Sequence, residues 1–188
     1  MLKQIKEYGK YLLITGFKNV KIENAEEFLK VINKEKPSDV EIQFFDAKLV
    51  ATWQHLYFAA INALTAFKNK TNISKSLAME MLLYASAQRQ IRKAMEILGI
   101  KADTSEMAVF IIGEKPDIVK STLQMVSKHV NAKEDESVLD LSKRKIELIR
   151  KTFGILELEL KTVMKNDDLE EALTSLVIER MALLATQR

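Results

Sequence analysis

The chain contains no cysteine, which excludes disulfides, thiolate catalysis and zinc–sulfur sites and fits a reducing compartment. Two prolines and five glycines in 188 residues, with no low-complexity tract, argue against disorder and against a many-turned all-β fold. The glycines stand singly at 9, 16, 99, 113 and 154, so there is no glycine-rich phosphate loop and no dinucleotide fingerprint. The two histidines, His55 and His129, are too far apart for a helical metal pair, and nothing resembles a nucleophile elbow. The longest hydrophobic stretch, 56–67, is interrupted by Asn62 and Thr65 and is well short of the ~20 residues that span a bilayer. Residues 1–7 lack the apolar core of a signal peptide. The expectation is a soluble, cytoplasmic, non-enzymatic protein without metal or cofactor. A catalytic pair assembled by the fold from distant residues is the open alternative.

What is present is an ordinary globular composition, 47% apolar and 29% charged. Twenty-nine basic residues stand against twenty-six acidic ones, a net charge of +3, with a pI of about 8.9. That balance does not mark a nucleic-acid binder by charge alone, but it leaves room for a local basic patch.

The apolar spacing predicts one α/β (α+β) domain over residues 1–188, a small mixed β-sheet packed by a larger number of helices. Tyr11 to Gly16 reads as a strand closing in a turn. Asn24 caps a helix through Phe28, Val31 and Ile32 that Lys36-Pro37-Ser38 breaks. Residues 40–44 alternate as a half-buried strand. Asp46 suits the N-cap of a long helix reaching Phe67. Met107 to Ile112, apolar throughout, reads as a central strand, and Pro116 opens the next helix. Val138 to Leu141 reads as a short strand, Ser142 as a helix start, and Asp167-Asp168 as the start of the last helix.

Between Ile73 and Ile100 an apolar helix (Leu77, Met79, Met81 to Tyr84) ends in the polar knot Ser86-Ala87-Gln88-Arg89-Gln90. A helix apolar on all sides is buried, so these polar groups are either bonded internally or held out for a partner. Gln88, Arg89 and Gln90 carry the donors and acceptors that read phosphates and base edges; an internal network, with Arg89 paired to Glu80, is the competing reading. His55 reads as a hydrogen-bonded, partly buried histidine or a ligand contact, and Ser74 and Ser76 as helix caps. Lys143-Arg144-Lys145 opposes the positive end of its helix dipole, which suits either a phosphate contact or a solvated face. In the last helix Ile178, Ala182 and Ala185 form a second apolar side, open to core packing or to a partner.

Together, Asp46 to Thr52 with His55, Ile73-Ser74-Lys75-Ser76, Met79-Glu80 and Tyr84 to Ile91 resemble the smallest accessory subunit of the KEOPS complex, called the PRPK-binding protein (TPRKB) in animals. Val177 to Leu184 resembles that family's C-terminal helix, and Phe153-Gly154-Ile155 the turn before it. KEOPS makes threonylcarbamoyladenosine beside the anticodon of tRNAs reading codons that begin with A. A metal-dependent transferase subunit does the chemistry, supported by a small atypical kinase/ATPase. The resemblance implies a non-catalytic subunit that docks on that kinase and stimulates it, and in archaea grips the single-stranded 3′ CCA end of tRNA. It implies an RNA-facing surface of Lys75, Ser76, Gln88, Arg89, Gln90 and Arg92, and a kinase-facing surface of Ile155, Ile178, Ala182 and Ala185. Two features depart from the family. Ala87 stands where it usually shows glycine, and a helical Ala87 is expected here. Segments 24–38 and 154–168 are longer than in compact archaeal members. The rival expectation is a protein-interaction module that regulates a kinase without touching RNA.

Overall fold

A computed structural model describes residues 1–186. Its contacts fall into two compact units, one of residues 1–47 and 99–138, the other of residues 48–98 and the chain from Leu139 onward. The first holds β1 (Leu2–Ile5), β2 (Lys10–Lys18), α1 (Ala25–Glu35), β3 (Glu41–Asp46), β4 (Glu106–Gly113), α5 (Pro116–Val130) and β5 (Lys133–Glu134). The second holds α2 (Trp53–Lys68), α3 (Leu77–Ala85), α4 (Ile91–Leu98), α6 (Lys143–Phe153), α7 (Glu157–Val163) and α8 (Leu169–Leu184). Helices outnumber strands, as the α+β expectation has it.

In the first unit the strands lie in the order β1-β2-β4-β3, and β5 also pairs with β2. Every pairing is antiparallel, which corrects the mixed sheet expected. Parallel neighbours need a crossover that returns the chain to the same end of the sheet, and no two paired strands here are joined that way. β4 is the central strand read from its apolar run, with Met107 to Ile112 no more than 2% exposed. Ile32 of α1 and Val119, Val126 and Val130 of α5 close the core against Phe17, Val109 and Ile111. Phe28 meets Phe44 edge-on at 5.1 Å, a favoured aromatic geometry.

Two readings in this unit are corrected. Gly16 does not end the strand but lies inside β2, opposite Ala108. A methyl group there would stand 2.0 Å from Val138 Cγ2 and 2.9 Å from the Asp135 carbonyl oxygen, so glycine admits the chain that crosses it. The strand expected at 138–141 is absent: Glu136–Leu139 form a 3-10 turn. The Ser137 N–H donates to Asp135 Oδ1 at 3.0 Å, a local bond that competes with a sheet ladder.

Between the units' sequence segments, Asp46 is the last residue of β3 rather than a helix cap, and its Oδ2 accepts from Thr104 Oγ1 at 3.4 Å. A 3-10 turn over Ala47–Leu49 follows, and α2 begins only at Trp53, behind Thr52. The other start signals act as local chemistry requires. Asn24, Ser76, Ser142 and Asp168 each accept a backbone N–H from three residues ahead, and Pro116 is the first residue of α5. In the second unit, Ile149, Phe153, Ile155, Leu173, Leu176 and Val177 build a core. Among the described residues no helix is long and apolar enough to cross a membrane.

Candidate functional site

Every residue proposed from the sequence to contact RNA or kinase belongs to the second unit. The polar knot is a helix ending. The Gln88 N–H bonds to the Leu83 carbonyl at 3.0 Å and the Ala87 N–H to that of Tyr84 at 2.8 Å, which is the paired-bond C-cap that needs a left-handed residue between them. Ala87 is that residue, with φ +51°. The expectation of a helical Ala87 is therefore wrong: it occupies a conformation natural to glycine. Ser86 completes the cap, its hydroxyl donating to the carbonyls of Leu82 and Leu83 at 2.8 and 3.1 Å.

Beyond the cap, Gln88 is half-buried, while Arg89, Gln90 and Arg92 are exposed. Arg89 reaches the Leu184 carbonyl at a long 3.5 Å, and Arg92 pairs with Glu96 at 3.0 Å. Glu80 is wholly buried, and its carboxylate accepts from the Ile73 N–H at 3.0 Å and the Ser74 N–H at 2.6 Å. Asn72 Nδ2 donates to the Ser74 carbonyl at 2.9 Å, and the Ser76 N–H to Ser74 Oγ at 3.2 Å. This bonded loop turns Lys75 and Ser76 outward. Tyr84, Arg89, Thr71, Ile73, Leu184 and Ala185 enclose a cleft of about 80 Å³. Burial, and then the nearby Glu80 carboxylate, push the Tyr84 phenol above its ordinary pKa.

Charge is unevenly placed. Residues 48–98 carry seven cations, namely Lys48, Lys68, Lys70, Lys75, Arg89, Arg92 and Lys93, against two carboxylates. Of those two, Glu80 is buried under its loop and Glu96 is paired with Arg92. The overall balance left room for such a local basic patch, and the excess lies in this segment.

His55 is no ligand contact. It is fully buried, accepts the Ala51 N–H on Nδ1 at 3.2 Å, and lies 2.8 Å through Nε2 from the Ala85 carbonyl. Nε2 must therefore carry the proton. Burial lowers its pKa to about 4, against the Ala85 bond, which raises it; Lys145 lowers it further. The triplet 143–145 divides: Lys143 and Arg144 are exposed, whereas Lys145 is buried and donates to the Asp140 carbonyl at 2.9 Å. A phosphate contact by Lys145 is ruled out by that burial.

On α8, Ala182 and Ala185 are exposed and Ile178 half-buried, whereas Ile155 is 4% exposed inside the core. Ile155 thus packs with Leu173, Leu176 and Val177 of α8 rather than standing out beside Ala182 and Ala185. Ile178 faces a groove of about 580 Å³ between the start of α2 and the first half of α8, a concavity that sequence periodicity did not reveal.

The unit thus presents a cationic loop-and-cap surface and a grooved helical face, the equipment of a binding protein. The chain matches the family described as kinase binding protein CGI-121 over residues 17–185. It is 30% identical over 144 residues to the regulatory protein Cgi121 of Methanocaldococcus jannaschii, covering 77% of this chain and 85% of that protein. The chain belongs to the CGI-121 family.

Proposed function

We propose that this protein is a non-catalytic accessory subunit of a KEOPS-type complex, working in the cytoplasm on tRNA threonylcarbamoyladenosine modification. It docks on the small atypical kinase/ATPase, stimulates it, and holds the single-stranded 3′ CCA end of tRNA. The kinase half draws on family membership and on the name of the archaeal relative, a regulatory protein. Its surface is Ile178, Ala182 and Ala185 on α8.

The RNA half is carried by one observation: Lys75, Ser76, Arg89, Gln90 and Arg92 are exposed and lie in a segment, residues 48–98, that holds seven cations against two carboxylates. Single-stranded ends are held by cationic grooves together with base-edge and stacking contacts. A modest global charge suits a subunit that supplies one contact among several.

The second reading, a kinase regulator without RNA contact, draws on the family description, which names a kinase and no RNA. Binding of tRNA with and without its terminal CCA separates the two. Loss of affinity on trimming is expected, and unchanged affinity overturns the RNA half. Mixing the purified chain with a KEOPS kinase subunit is expected to yield a 1:1 complex, and its absence overturns the kinase half.

A further inference from the structure

The groove between α2 and α8 has an electrostatic character opposite to that of the chain. Asp140, Asp168, Glu170 and Glu171 line it, and among the described residues no lysine or arginine does. None of these four carboxylates takes part in an ion pair among the described residues. Helix capping explains Asp168, and the α8 dipole suits Glu170 and Glu171, but neither accounts for Asp140 across the groove.

Two further features point to an occupant. Thr174, 6% exposed, lines the groove with a hydroxyl that has no hydrogen-bond partner. Thr52 lines it from the N-cap position of α2, and its hydroxyl caps nothing and is likewise buried without a partner. Buried hydroxyls are ordinarily satisfied, and two unsatisfied ones in a single groove mark a place where donors are to be received. The aromatic rings of Trp53 and the exposed Phe58 line the same space, and aromatic faces attract cations.

We propose that this groove receives a lysine- or arginine-bearing segment of the kinase partner, the cation bonding to the threonine hydroxyls and ringed by the four carboxylates. This rests on the kinase-docking reading above and specifies its chemistry. A guanidinium or ammonium brings several donors and no acceptor, matching a site that offers acceptors and negative charge. Ile178, at the groove's edge, joins it to the α8 face assigned to the kinase.

The test is calorimetric titration of the full chain with a KEOPS kinase subunit. Thr174→Val, which keeps the side-chain shape, is expected to weaken binding about tenfold, as loss of a charge-assisted bond does. The double variant Asp140→Lys/Glu171→Lys is expected to bind about 30-fold more weakly in 50 mM NaCl and only about threefold more weakly in 500 mM, as screened charges require. If both variants bind as tightly as wild type while Ile178→Glu abolishes the complex, the groove is not the cation's seat, although the kinase reading stands. If wild type forms no complex, both fall. A wild-type dimer broken by the same charge reversal would assign the groove to a second copy and overturn the proposal.

Discussion

At the scale of single residues, Ala87 holds a left-handed backbone that costs an L-residue roughly 1–2 kcal/mol. Glycine removes that cost but gains unfolded-state freedom worth roughly 0.5–1 kcal/mol. Ala87→Gly is therefore expected to stabilise the protein by about 0.5–1 kcal/mol in urea unfolding, and a lower midpoint would contradict the geometry. His55 gives a pH dependence of definite sign. Its folded pKa of about 4 lies below the unfolded value of roughly 6.5, so the unfolded chain takes up the proton first. The stability that neutral His55 contributes is fully present above pH 6.5 and is lost as the pH falls towards 4, by on the order of 3 kcal/mol. Unfolding free energies measured from pH 7 to 4 should fall less steeply in His55→Gln than in wild type. Parallel curves would show that His55 titrates normally.

Elements were legible where the signal is local. Asn24, Ser76, Pro116, Ser142 and Asp168 announce helix starts because each satisfies or dispenses with a backbone donor within one turn. What escaped depends on partners or on competing patterns. β1 and β5 are short and polar, and become strands only by pairing with β2. Leu156 to Leu160 alternates like a strand, yet the Glu159 carboxylate accepts the Leu156 N–H at 2.7 Å and helps close the first turn of α7. Ala87 escaped because alanine favours helix, and two backbone bonds override it. Gly16 shows the same dependence on distant chain, and a methyl group there meets backbone as well as side chain. Gly16→Ala is expected to cost about 2–3 kcal/mol in urea unfolding. Val138→Ala in addition should restore only part of it, because the Asp135 carbonyl remains in the way. Full recovery would place the whole conflict at Val138.

For the whole molecule, a net charge of +3 conceals a cationic segment at 48–98 and an acidic groove. Gln88, Arg89 and Gln90 stand out in the sequence because donor-rich side chains at the end of an apolar helix demand an explanation, whereas Lys75, Ser76 and Arg92 are named from the family resemblance. The groove was not legible, since it is assembled from three separated stretches of chain. If the cationic segment holds RNA, affinity for tRNA should fall linearly on a log–log plot against salt, and Arg89→Glu should lower that slope by about 0.7–1 while weakening binding. The thermal midpoint should stay near that of wild type, because Arg89 is exposed. A collapse of the midpoint would instead make Arg89 a structural residue.

The loop carrying Lys75 and Ser76 is fastened from the inside, by an acid rooted in the helix below it. Lys75 can therefore be exchanged like a tool in a fixed holder, whereas Ser76 also caps α3. Substitution at position 75 changes what the loop presents without rebuilding the mount.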